Sequence, residues 1–208
     1  MDRTRSRQAF LFVGNHSCLD FINTQMILRG NLTDLLDTFE DFVAWLVQAK
    51  QITKDEGEFA SRRLTQKEKH EVLEQVKAFR TILRDMAEHL VRRHPIPGAV
   101  VLAINRLLSR RQGYPQVIQA KGRFEQKVVT TGNATDSLLT PLAEAASDLL
   151  CNADQALIKK CRNAACILYF YDTTKSHTRN WCSMQLCGNR LKVAAHFQRK
   201  RQDKRRKE

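Results

Sequence analysis

The 208-residue chain has no run approaching the roughly 18 consecutive apolar residues that a membrane-spanning helix needs. Its first ten residues, MDRTRSRQAF, are charged and contain no apolar stretch of the secretory-signal kind. The expected location is therefore cytoplasmic, with no membrane partner. There is no internal repeat and no low-complexity linker, which excludes a solenoid and a tethered array. Also missing are a Ser/His/Asp set, a glycine-rich phosphate loop and paired acids at a convincing spacing, so no enzyme is read from these residues. Acidic residues are scarce in one region above all. Residues 159–208 hold 14 Lys/Arg against Asp172, Asp203 and Glu208, a net of +11. That leaves only +2 of the formal +13 for residues 1–158.

What is present reads as globular, with 42% hydrophobic and 27% charged residues and enough length to bury a real core. The charge asymmetry divides the chain into two expected modules, 1–158 and 159–208, the second facing a polyanion. For residues 201–208 a solvated tail kept for solubility is the alternative.

Residues 1–158 are expected to be mostly helical. Leu35, Leu36, Phe39, Phe42, Val43, Leu46 and Val47 recur at helical spacing within 33–51. Thr53 with Glu56, and Thr65 with Glu68, match the capping box that satisfies free N–H groups at a helix start. The second should open a long amphipathic helix over about 66–93, broken by His94-Pro-Ile-Pro-Gly98. A shorter helix is expected over 97–110, and another from Asp136 to about Lys159, with Pro141 near its first turn. The alternating stretches YPQVIQ and FEQKVVT around AKGR predict one β-hairpin.

Cys161 and Cys166 are separated by four residues, as are Cys182 and Cys187, with fifteen residues between the pairs. Two close pairs can clamp a tetrahedral zinc ion, and four thiolates leave no position for a reactive water, so the Zn2+ would be structural. Reduced thiols sharing a core would have no reason to fall in equal pairs. Cys18 and Cys151 lack close partners and are expected to be buried thiols. Between the pairs, Ile167–Tyr171 favours a strand, with a short return ending at Trp181. After Cys187 a basic helix is expected, packing Leu191, Val193, Ala194 and Phe197 against the hairpin. Asn189, Lys192, His196 and Arg199 would share its opposite face, which a DNA major groove can accept. The expected fold class is thus α+β, mostly α: a helical domain with one β-hairpin, then a small treble-clef-like four-cysteine zinc finger ending in a basic helix.

Cys161-x4-Cys166, FYDTTK, Arg179 and WCSMQLCGNRLK resemble the CGNR zinc finger family. In that family the finger follows a helical domain called ABATE, whose opening motif is similar to CLDFINT at 18–24. The resemblance spans nearly the whole chain and is most specific over 161–192. It implies zinc, double-stranded DNA as partner, and a stress-induced bacterial transcription regulator. Asn180 departs from the pattern, which has a second arginine before Trp-Cys, so a base-reading arginine pair is not expected there.

Lys192, Arg199, Lys200 and Arg201 are the expected phosphate contacts. Arg179 and Arg190 divide evenly between DNA contact and a structural role against Trp181 or Asp172. A single small finger offers limited area, so a homodimer reading two half-sites is expected. His16, Asp20, Asn23 and Thr24 are polar residues among Cys18, Leu19, Phe21 and Ile22. They could line a pocket for a small-molecule effector, or they could cap neighbouring elements. The alternative function is a zinc-stabilised RNA- or protein-interaction module, favoured if Tyr169, Phe170, Tyr171 and Trp181 stand exposed for base stacking.

Overall fold

A computed structural model describes residues 9–120 and 122–189. The elements run α1 (Ser17–Ile22), β1 (Gln25–Leu28), β2 (Asn31–Asp34), α2 (Phe39–Gln48), α3 (Lys54–Arg63), α4 (Gln66–Arg92) and α5 (Gly98–Leu108). They continue with β3 (Gly113–Ala120), β4 (Arg123–Thr130), α6 (Ala134–Cys151), a 3-10 turn Gln155–Leu157, β5 (Ile158–Lys160), β6 (Tyr169–Tyr171) and a π-helical turn Met184–Gly188.

Local chemistry explains most of the helix starts. Thr53 and Thr65 each accept from the backbone of Glu56 and Glu68, whose carboxylates return to the threonine N–H groups at 2.7 and 2.8 Å. These two boxes open α3 and α4 where the sequence predicts. A third capping box, Thr38 with Asp41, opens α2.

That third box corrects the reading of 33–51 as one helix. Residues 25–34 instead form an antiparallel hairpin whose turn, Arg29-Gly30, has φ of 51° and 86°. Positive φ at both central residues is the geometry whose twist matches two paired strands. Asp34 is then unavailable to a helix. Its carboxylate accepts from Leu36 N at 2.9 Å and from the buried Arg80 guanidinium.

The long helix α4 is the spine. Val72, Leu73, Val76, Phe79, Leu83, Met86, Ala87 and Leu90 are buried at three- and four-residue steps. The helix ends with Arg93 in the left-handed conformation, φ 56°, before the Pro/Gly cluster. Around it pack α1, α2, α5 and α6, closing a core that includes Phe21, Phe42, Trp45, Leu46, Leu138 and Leu142.

Helix α6 also differs from expectation. It starts at Ala134, capped by Asn133, so Pro141 lies beyond the first turn, and it stops at Cys151. The missing N–H of Pro141 removes the bond that would have reached the carbonyl four residues earlier. The chain from 158 to 160 is not helix but strand β5.

Three two-stranded antiparallel hairpins are present among the described residues, where the sequence predicts two, one in each expected module. β3–β4 is the predicted pair, in the register Gly113↔Thr130 to Ala120↔Arg123. β6 was expected to pair with a return strand before Trp181. It pairs instead with β5, in the register Ile158↔Tyr171. The reason is topological: the first cysteine pair is the turn of that hairpin.

Candidate metal centre

The hairpin β5–β6 holds Cys161 and Cys166 in its loop. Cys161 N donates to Leu168 O at 2.9 Å, and Cys166 N to Asn163 O at 2.8 Å. The Asn163 side chain braces the loop by accepting from Ala165 N at 3.0 Å, and its amide reaches Cys187 Sγ at 3.4 Å. The second pair arrives because Arg162 N bonds Asn180 O at 3.0 Å. The turn Met184–Gly188 then wraps over Ser183, whose carbonyl accepts from Cys187 N and Gly188 N.

All four sulfurs lie within 4.8 Å of one another. Cys182 stands 3.7 Å from both Cys166 and Cys187. A tetrahedron with Zn–S bonds of about 2.3 Å has edges of about 3.8 Å, so this spacing fits one zinc ion. Electrostatics point the same way. Hydrogen bonds from the Cys166 and Cys182 thiols pull Cys161 down to about 2. Cys166 is in turn pushed up to about 12, first by its bond to Cys161, and Cys182 is pushed up strongly by both neighbours. Four thiolates cannot share this volume unless a cation neutralises them. Cys161, Cys166, Cys182 and Cys187 thus form a closed structural zinc site, with no position left for a reacting group.

Family comparison agrees with the geometry. Residues 15–153 match the model for ABATE, described as "Putative stress-induced transcription regulator", and residues 158–200 match the CGNR zinc finger. The chain belongs to the ABATE family. No curated protein matches it.

The CGNR finger is bound tightly to the ABATE part, and the residues that bind it were singled out for other roles. Asn23 donates to Tyr169 O at 2.8 Å and accepts from Tyr169 N at 2.9 Å. A single buried side chain thus pairs with β6 as another strand would. Asp20 accepts from Gly14 N at 2.7 Å, and burial raises its carboxyl to about 6. Thr24 donates to Phe21 O and accepts from Arg80. His16 accepts from Cys18 N as the cap of α1 and meets Asp148 at 3.1 Å. The polar atoms of these four residues are thus engaged within the fold. Their geometry supports the capping role over an effector pocket.

Arg179, a DNA-contact candidate, also turns inward. Its Nε donates to Trp181 O, its Nη2 to Val13 O and Cys182 O, and the guanidinium sits 4.2 Å from the centre of the Phe170 ring. A guanidinium bonded to the carbonyl of a zinc ligand is fixed in place, the arrangement that the structural one of its two expected roles requires. Asp172 is fully buried beneath it. Although burial alone would raise its carboxyl, bonds from Lys159, Thr174 and Arg179 N hold it well below the usual carboxylate range.

Among the remaining DNA candidates, Asn189 is exposed at the end of the π-helical turn. Arg190, Lys192, His196, Arg199, Lys200 and Arg201, and the basic helix they were assigned to, lie outside the described residues. Cys18 is a buried thiol raised to about 12, whereas Cys151, expected buried, is exposed at the end of α6.

Sequence reasoning passed over Arg84 and Glu88. Arg84 donates to Ile22 O and to Ile167 O, the residue next to Cys166. Glu88 accepts from Tyr169 Oη at 2.6 Å and Lys160 Nζ at 2.9 Å, and those bonds lower its carboxyl to about 2. A signal existed. Arg80 and Arg84 recur at helical spacing beside the apolar stripe of α4, which implies buried acceptors.

Proposed function

We propose that this chain is a DNA-binding transcription regulator, not an enzyme, and that it contacts duplex DNA through the basic segment that follows the zinc site. The observation that carries this reading is the junction at Cys187–Asn189. The metal-held turn Met184–Gly188 delivers the chain directly into Arg190–Lys207, the most cationic stretch of the sequence. A cationic segment anchored at one end meets phosphate with less loss of freedom than a free tail.

The aromatic residues speak against single-strand stacking. Tyr169 and Phe170 are buried at 3% and 0% exposure, while Tyr171 and Trp181 are half-buried. Base platforms need open faces. A homodimer reading two half-sites accompanies the proposal, because one finger covers little DNA. The ABATE part would then supply dimerisation and regulation.

Fluorescence anisotropy of the zinc-loaded protein with duplex DNA, single-stranded DNA and structured RNA tests the proposal. Four to six phosphate contacts give a log–log salt slope of about −4 to −5 on duplex DNA. Replacing Lys192 and Arg199 with alanine should flatten that slope by about two. Tighter binding to structured RNA, or to no nucleic acid at all, transfers the protein to the RNA- or protein-interaction reading.

A further inference from the structure

We propose that the cleft lined by α2, α3, α6, the β3–β4 hairpin and residues 110–112 after α5 binds a small amphipathic monocarboxylate, a flat or branched apolar body carrying one anionic head. The cleft measures about 920 Å³. That lies within the roughly 300–1,000 Å³ typical of small-molecule sites. It lies in the ABATE part, away from both the zinc site and the α1 residues that hold the finger. The proposal is independent of DNA binding.

Two features set the ligand class. The first is an apolar wall made by Val47, Ile52, Phe59, Ile118 and Pro141. Phe59 projects from α3 with 60% of its surface exposed. A phenylalanine left this open inside a concavity leaves apolar surface for a ligand to cover. The β3–β4 register places Gln116 and Ile118 on one face of the hairpin, towards the cleft. Val117 and Phe124 stand on the opposite face.

The second feature is charge. Lys50, Lys54, Arg110 and Arg111 line the cleft with Glu56, Asp136 and Glu144. Each acid is already engaged. Glu56 closes the α3 capping box, Asp136 lies 3.6 Å from Arg110, and Glu144 lies 3.1 Å from Arg111. Lys50, held at the end of α2 with φ 57°, has no acidic partner among the described residues. Among the described lining residues one cation is in surplus, which calls for one anionic group, and the neutral side chains Gln51, Gln112 and Gln116 can complete its hydrogen bonds. A dianion would face the three acids, and a cation would meet Lys50.

The position also suits regulation. Helix α6 lines the cleft from Asp136 to Glu144 and reaches His16 of α1 through Asp148. Helix α1 leads directly into Asn23, which holds β6 of the finger.

Calorimetry and thermal shift on the full zinc-loaded chain test this with 1-naphthoate and its neutral counterpart 1-naphthylmethanol. The expected result is naphthoate binding with a melting rise, and about tenfold weaker binding of the alcohol, the worth of one charge-assisted contact. Lys50→Gln should remove that preference, weakening naphthoate about tenfold and leaving the alcohol unchanged. Phe59→Ala should weaken both alike, and Phe124→Ala, on the far face of the hairpin, neither. Zinc content and melting temperature of each variant confirm folding, because all three side chains are exposed. Absence of binding at millimolar naphthoate, equal binding of acid and alcohol, or a Lys50→Gln variant indistinguishable from wild type overturns the proposal.

Discussion

The described residues form two apolar clusters, and they are built on different physics. The larger joins α1, α2, α4, α5 and α6 through leucine, valine and aromatic side chains, with Phe42, Leu46, Leu83 and Met86 fully buried. The smaller has seven buried members, Met26, Leu35, Cys161, Leu168, Phe170, Cys182 and Cys187. Three of those are zinc ligands, and Met26 of β1 and Leu35, the residue after β2, come from the β1–β2 region. The first cluster is held by apolar area removed from water. The second has too little area for that, and depends on a metal and on a borrowed hairpin. The comparison teaches that the finger is stabilised from two sides, by zinc within and by the ABATE part beneath.

Removing the metal should separate the clusters most sharply. Structural zinc sites carry about 10–16 kcal/mol of apparent binding free energy, expressed as folding. Cys166→Ser or Cys182→Ser should lose zinc and the protected amides of 161–189, while amides of α4 stay protected. Elemental analysis should give one zinc per chain in the wild type, and hydrogen exchange reads the rest. Loss of α4 protection together with the metal would mean that the two clusters are one cooperative unit.

The reciprocal break lies in the larger cluster. Leu83 is completely buried in the centre of α4. Leu83→Ala should cost about 2–5 kcal/mol through lost transfer energy and the cavity left behind. The melting temperature should fall while zinc content stays at one per chain.

The joint between the clusters comes next. Asn23→Ala strips β6 of a donor and an acceptor at once, leaving Tyr169 N and O buried and unpaired. The expected cost is about 2–3 kcal/mol. Zinc should remain bound, and DNA affinity should fall only in proportion to unfolded protein. A ligand response abolished without any melting loss would restore this segment as an effector site.

The smallest effect is a pH dependence. Asp20, raised to about 6 by burial, binds its proton more tightly folded than unfolded, where its value is 3.8. Its contribution is therefore most favourable at low pH and declines as pH rises from about 4 through about 6. Asp20→Asn keeps an acceptor for Gly14 N and removes the titration. The difference in stability between the two proteins should shift by on the order of 2 kcal/mol across that window, read by denaturant melts at each pH. A constant difference would mean that Asp20 stays charged and compensated by Arg179.

Local signals carried far. The capping boxes at Thr53 and Thr65, the end of α4 before His94, the β3–β4 hairpin and the paired cysteines are each written in a few adjacent residues. Side chains within one helical turn or one metal knuckle meet whatever the rest of the chain does, so sequence by itself determined these elements, the zinc site and the family. The partner of β6, the Arg29-Gly30 turn that cut short the expected helix, and the inward course of Arg179 depend on residues far apart in the chain. So does the role of Asn23, which meets Tyr169 146 positions later. A polar side chain in an apolar stretch must find a partner once buried, but its sequence neighbours cannot say which. Only the tertiary structure decided that, by bringing α1, α4 and the zinc-held hairpin to one place where each buried donor had an acceptor within reach.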